Sequence, residues 1–186
     1  MPLLSPLTLI DREILEQSIV FRGISATEMD PFFNTCQAKT YHPGKAIISA
    51  GEEGDGLYVI LEGKVGVSIP QRGSDGEAEA NGVFNLRIDT LESGICFGEY
   101  SLFDKKKVSA TVSALVETRL FYLATEDFYR IIGTDLRIEN IIYKNILQLL
   151  THLRHFHLSK PLIHRFKRFF VEKFSLKSMV FFLKVL

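Results

Sequence analysis

The sequence contains only two cysteines, Cys36 and Cys96, far apart in the chain. They do not form metal-ligand spacing, and with His42 and the histidines of the C-terminal part they make no cluster, so no metal site is expected. Two buried free thiols in a reducing interior are what this pattern predicts. No apolar run approaches the ~18 residues of a membrane-spanning helix. Residues Met1 to Ile10 hold two prolines and no basic residue, so the charged start of a secretory signal is missing and a cytoplasmic location is expected. Net charge is also lacking, at a formal value of zero.

That zero conceals a division. Residues 1–135 carry 12 Lys and Arg against 20 Asp and Glu, whereas residues 136–186 carry 10 against 2. Four of the five histidines also lie in the second part. An acidic body with a basic tail predicts either attraction within the chain or a tail that meets an anionic partner. With 46% hydrophobic and 24% charged residues, the composition is globular, and the length suits one domain with an appendage.

Ile10, Ile14 and Leu15 recur at helical spacing. Ser25-Ala26-Thr27-Glu28 then reads as a capping box before a short helix with Met29, Phe32 and Phe33 on its apolar face. After Tyr41 the texture changes to short strands. Ala46-Ile47-Ile48 is one, and Leu57 to Leu61 another; Glu62-Gly63 then turns the chain into Lys64 to Ile69 as a hairpin. Gln71 to Gly82 is polar, without apolar periodicity, and is predicted to be a surface loop. Further strands are predicted at Phe84 to Leu91, Ile95 to Phe97, Ser109 to Ser113 and Thr118 to Leu123. So many short strands with so little helix between them indicate a β-sandwich or jelly roll rather than parallel βαβ units.

Thr125 is the expected N-cap of the next helix, with Glu126 and Asp127 at its positive end. From Asp135 to His157 there is neither Pro nor Gly. Ile142, Ile146, Leu149, Leu153 and Phe156 step by four and three, which fits a coiled-coil dimer seam or a helix packed on its own domain. Pro161 ends that helix. Beyond it, Leu162, Phe166, Phe169, Phe170 and Phe174 share a face, with Arg165, Lys167, Arg168 and Lys173 elsewhere. Such a basic amphipathic segment suits a membrane surface, a partner groove, or docking on the parent domain. The organisation predicted is therefore a jelly roll with N-terminal helices over 1–134, a long helix over 135–158 as a candidate homodimer seam, and a tail over 159–186.

In order along the chain stand Pro43-Gly44-Lys45-Ala46-Ile47-Ile48, Gly51-Glu52, Gly54-Asp55 and Leu57-Tyr58-Val59-Ile60-Leu61-Glu62-Gly63. They are followed by Gly94, Phe97-Gly98-Glu99, Ser101-Leu102-Phe103 and Ser109-Ala110-Thr111-Val112. This ordered set resembles the cyclic-nucleotide-binding domain family of catabolite-activator-type regulators, kinase regulatory subunits and gated channels. The match covers about Phe21 to Arg154. The resemblance implies an antiparallel β jelly roll flanked by helices, with cAMP or cGMP as ligand and no other cofactor.

The chemistry of the matched segment fits a ligand site. A helical turn starting near Gly98 leaves its first amides without intrahelical partners, so they can receive phosphate oxygens. Gly98 allows close approach of the backbone. The resemblance gives Glu99 the role of accepting a hydrogen bond from a ribose hydroxyl; the alternative is a carboxylate placed on the helix dipole. Tyr100 and Ser101 contribute amides, while Leu102 and Phe103 anchor the turn in the core. Family members that bind cyclic nucleotide place an arginine where this chain has Val108, which offers neither charge nor donor. A missing charge-assisted contact of about 1.5–3 kcal/mol weakens binding roughly 10- to 100-fold. Lys107 should point away if Val108 points inward; Lys105 and Lys106 are expected on the exposed loop. Ser109 can offer its hydroxyl, and Leu153 stands where many relatives have a polar residue over the base.

Three functions follow as expectations. One is a regulatory sensor of cAMP, cGMP or a related anion that signals through its C-terminal helices. The second is a ligand-independent dimerisation or docking module. The third is a membrane- or partner-associated protein acting through its basic tail. Only 25 residues follow Pro161, too few to read a helix-turn-helix, so specific DNA binding is not predicted. Nor is catalysis, because Glu99 has no recognisable acid, base, nucleophile or metal partner.

Overall fold

The computed structural model describes residues 2–72, 83–102 and 107–152. The chain divides into two compact units, 1–146 and 147–186. In the second, only 147–152 are described, and they are helical.

In the first unit, strand β1 (Leu3–Ser5) leads to helix α1 (Leu9–Gln17), a 3-10 turn (Ile19–Phe21) and helix α2 (Ala26–Thr35). Strands β2 (Gln37–Tyr41), β3 (Ala46–Ile48), β4 (Gly56–Glu62), β5 (Lys64–Arg72), β6 (Val83–Glu92) and β7 (Cys96–Phe97) follow. A second 3-10 turn (Glu99–Leu102) precedes β8 (Thr111–Ala114), β9 (Thr118–Ala124), α3 (Thr125–Ile132) and α4 (Leu136–His152). All the strand pairs are antiparallel. They form a five-stranded sheet in the order β1-β2-β9-β4-β7 and a four-stranded sheet in the order β3-β8-β5-β6. This is the jelly roll that the short glycine-punctuated strands predict.

Side-chain alternation along β4 and β9 builds two adjoining cores. Tyr58, Ile60 and Leu120 turn into the barrel to meet Val65, Phe97 and Val112. Phe121 turns the other way, where its ring meets Phe21 edge-on at 5.9 Å, and Phe21 in turn meets Phe32 at 5.2 Å. The N-terminal helices are thus pinned to the back of the sheet that carries the site. Ser25 and Glu28 form the expected capping box, and Thr8 and Asp11 form another at α1.

The structure also corrects the sequence-based boundaries. Thr125 is the first residue of α3 and Ala124 is its N-cap; the Thr125 Oγ1 is buried without a hydrogen-bond partner among the described residues. The Thr125 N–H instead donates to the Asp55 carbonyl at 3.0 Å, so the strand-to-helix junction, not a side-chain cap, starts this helix. Gln71 and Arg72 belong to β5, paired with Phe84 and Val83, because ladder hydrogen bonds carry the hairpin past its last apolar residue; 73–82 lie outside the described residues. Strands β1 and β2 were not foreseen.

On α4, Ile138, Ile142, Tyr143 and Ile146 are buried, and the Asn145 side-chain amide donates to the Val20 and Arg22 carbonyls at 3.1 and 2.7 Å. The first half of the apolar seam is therefore covered by the chain's own core. Leu153, Phe156 and the tail over 159–186 lie outside the described residues. Among the described residues, no helix is long and apolar enough to cross a membrane. Cys96 is buried and Cys36 partly so; both are free thiols. Burial pushes the Cys36 thiol up to about 12.

Candidate functional site

The site begins where β7 ends. Gly98 has φ +82°, and a Cβ built on it would lie 2.5 Å from the Gly56 carbonyl oxygen and 3.1 Å from Tyr58 Cδ2. Only glycine fits there without displacing backbone. The chain then tightens into the Glu99–Leu102 turn. The Ser101 N–H donates to the Gly98 carbonyl at 3.1 Å. The Ser101 hydroxyl lies 2.6 Å from that same oxygen and 3.2 Å from the Gly56 carbonyl. Leu102 is buried, and its carbonyl accepts a hydrogen bond from the Tyr129 hydroxyl of α3.

Glu99 is 4% exposed. Burial raises its pKa to about 7, while its own backbone N–H works in the opposite direction. It is a buried acceptor at the head of the turn. Tyr100 is half-buried, and its phenol is pushed up by burial first and by the Glu99 charge second.

The expected residues Gly98, Glu99, Tyr100 and Ser101 therefore occupy one turn, and Val108 is brought against it. A Cβ built on Gly54 would lie 2.4 Å from Ser101 Cβ and 3.3 Å from Val108 Cγ1, so both side chains close on that glycine. The Val108 backbone is stitched to the facing loop. Its N–H donates to the Glu52 carbonyl and its carbonyl accepts from the Gly51 N–H, both at 2.8 Å. Glu53 and Lys107 form an isolated antiparallel β-bridge, through their backbones, beside it. Lys107 and Ser109 are exposed, as alternation about an inward Val108 requires. Phe103, Asp104, Lys105, Lys106, Leu153 and Arg154 lie outside the described residues, and Thr151 is helical.

A second group was not foreseen. Phe97, Tyr58 and Tyr122 form a row across β7, β4 and β9. Phe97 and Tyr58 stack at 5.1 Å with planes 3° apart, and Tyr58 meets Tyr122 at 4.9 Å. The Asp55 carboxylate accepts from the Tyr58 hydroxyl at 2.9 Å and from the Tyr122 hydroxyl at 3.2 Å. Lys39 Nζ sits 3.1 Å from the Tyr122 ring centroid, a cation–π contact. Burial lowers the lysine's pKa and nearby Asp55 raises it, leaving it below its ordinary value. The Asp55 and Tyr58 positions belong to the sequence pattern already quoted. Lys39 and Tyr122 sit on distant strands, and no local signal marks them.

Glu99 supplies a buried carboxyl group, and among the described residues no group of three or more His, Cys, Asp or Glu could hold a metal.

Residues 38–135 match the family model of the cyclic nucleotide-binding domain. Glutaminase 1 of Bradyrhizobium diazoefficiens is 31% identical over 138 residues, which cover 74% of this chain and 20% of that protein. The Cyclic AMP receptor protein of Thermus thermophilus is 30% identical over 118 residues, covering 63% of this chain and 50% of that one. The crystal structure of the Thermus thermophilus Catabolite Activator Protein superposes with a TM-score of 0.60 at 29% identity, covering 74% of this chain and 59% of that chain. The chain thus spans between a fifth and a half of these two curated relatives. The barrel agrees with the match: the chain belongs to the cyclic nucleotide-binding domain family.

Proposed function

We propose that this chain is a regulatory sensor in which the 98–102 turn receives a ribose-containing ligand of the cyclic-nucleotide class and α3 and α4 carry the signal onward. Glu99 accepts from a ribose hydroxyl, and Gly98, Tyr100 and Ser101 bring backbone to the ligand. Val108 and Ser109 border it. The observation that carries this reading is the Tyr129 hydroxyl on the Leu102 carbonyl, which joins the end of the turn to the first helix after the barrel. The Asp55 carbonyl, bonded to the Thr125 N–H, joins the same helix to the strand beneath Gly98. A ligand that shifts the turn therefore has a short mechanical path to α3, provided it binds the two arrangements with different affinity. The Thermus relative named as a Cyclic AMP receptor protein supports the ligand class. A binding role, without catalysis, in the cytoplasm completes the reading. Calorimetric titration with cAMP and cGMP, paired with amide exchange over 125–146, tests it. Saturable heat with altered exchange in α3 is expected; no heat at millimolar ligand sinks it.

A second reading has its own observation. The side chain at 108 packs against Gly54 and Ser101 and brings no charge to the turn, which favours a domain kept for docking or dimerisation without a ligand. That reading expects one melting temperature with and without nucleotide, and a dimer in sedimentation. Dimerisation would use surface other than Ile142 and Ile146, which are buried in the chain's own core. The basic tail as a membrane- or partner-binding arm is tested by deleting Leu162 to Leu186 and measuring liposome binding.

A further inference from the structure

Helix α1 keeps one side against the domain and leaves the other bare. At about 100° per residue, Asp11 and Leu15 fall together, and both are buried. Leu9, Ile10, Glu13, Glu16 and Gln17 fall on the opposite arc, and all five are exposed. Leu9 and Ile10 stand out on it, at 79% and 69% exposed, because a surface helix turns such side chains toward the core. Leu3 of β1 is 59% exposed and lies on the same side of the sheet as the helices. Ser5 pairs with Ala38, and Ala38 with Phe121, whose ring meets Phe21; alternation along β1 puts Leu3 on the side of Ser5.

The apolar first turn of this face is followed by an acidic end. Arg12 is divided between Glu16, at 3.1 Å, and Asp30 of α2, at 2.8 Å. Glu13 has no ion-pair partner among the described residues. Three carboxylates thus share one guanidinium, and negative charge is in excess beside the apolar residues.

That charge decides between occupants. Two copies of the face would set carboxylates against carboxylates or against leucine, and an anionic lipid surface would meet the same repulsion. A helix that is apolar at one end and basic at the next complements both halves. We propose that the outer face of α1 is a docking site for a basic amphipathic helix of a partner protein. Its apolar side chains lie on Leu9, Ile10 and Leu3, and its lysines or arginines lie beside Glu13 and Glu16. This surface is separate from the 98–102 turn and does not depend on what that turn binds.

The test is fluorescence anisotropy of the full chain with a labelled peptide of leucine and lysine, the two residue types on opposite helical faces. A second peptide has glutamate in place of every lysine. The lysine peptide should bind about tenfold or more tightly than the glutamate one. Leu9→Ser with Ile10→Ser should weaken it about tenfold by removing apolar contact. Glu13→Lys should weaken it about threefold or more. Glu117→Lys makes the same change of charge on the exposed turn between β8 and β9 and should have no such effect. These side chains already lie in water, so the fold is kept, and an unchanged melting temperature checks that. Equal binding of both peptides, or equal losses from Glu13→Lys and Glu117→Lys, overturns the proposal. A dimer in sedimentation that the Leu9 and Ile10 variant dissociates gives the face to a second copy and overturns it too. So does binding to phosphatidylserine vesicles that the same variant abolishes. Deletion of 162–186 that tightens the lysine peptide about tenfold names the chain's own basic segment as occupant and overturns the partner.

Discussion

The hydroxyl of Tyr129 donates to the carbonyl of Leu102, so the helix that follows the barrel holds the last residue of the 99–102 turn. Tyr129→Phe keeps the ring and removes the donor. The expected loss is about 0.5–1.5 kcal/mol in urea denaturation, with faster amide exchange across Thr125–Ile132. Exchange unchanged in that helix would show that the contact does not steady it.

Glu99 gives the fold a distinctive response to pH. Its pKa is raised from 4.5 to about 7 by burial, so between those values the folded state holds a proton that the unfolded state has released. Stability contributed by Glu99 is complete below pH 4.5 and falls as pH rises to about 7, by on the order of 3 kcal/mol. Glu99→Gln should remove that fall when denaturation midpoints of both proteins are compared from pH 4.5 to 8. Parallel curves would contradict it.

Asp11 and Arg119 behave in the opposite sense. The guanidinium donates to both carboxylate oxygens, at 2.5 and 2.8 Å, and the Asp11 side chain is 3% exposed. Burial works to raise the Asp11 pKa, yet the hydrogen bonds from Arg119 and Thr8 outweigh it and leave it lowered from 3.8. Its contribution is therefore present above pH 3.8 and lost as pH falls through the lowered value. Asp11→Asn should cost about 1.5–3 kcal/mol at neutral pH, because the charge-assisted hydrogen bonds to the carboxylate become neutral ones while the guanidinium keeps its bond to the Pro6 carbonyl; urea denaturation measures it.

Gly98→Ala combines two penalties. The residue sits at φ +82°, and its Cβ would meet the Gly56 carbonyl oxygen at 2.5 Å. A left-handed conformation alone costs an alanine about 1–2 kcal/mol, and relief of the clash must move β4 or the turn. A melting temperature within a degree or so of the unaltered protein would show that neither effect operates.

The turn was legible in the sequence because its parts are contiguous, from Phe97 to Leu102; the outward Lys107 was expected only on the condition that Val108 points inward. The Ser25–Glu28 cap was legible for the same local reason. The Thr8–Asp11 cap escaped notice because aspartate takes the place of the usual glutamate. Strand β2, Gln-Ala-Lys-Thr-Tyr, has no run of branched apolar residues; its conformation is set by pairing with β9 from Thr118 to Tyr122, a contact no local pattern announces. The Lys39, Asp55 and Tyr122 group is hidden for that reason too, since three distant segments supply it.

The row of Phe97, Tyr58 and Tyr122 has an optical consequence. The chain has six tyrosines and no tryptophan, so tyrosine dominates its near-ultraviolet absorption and emission. Tyr58 stacks on the residue before Gly98, Tyr100 lies within the turn, and Tyr129 holds the turn's end. Three of the chromophores thus surround a single loop, and the unlabelled protein carries its own spectroscopic reporter of whatever occupies it.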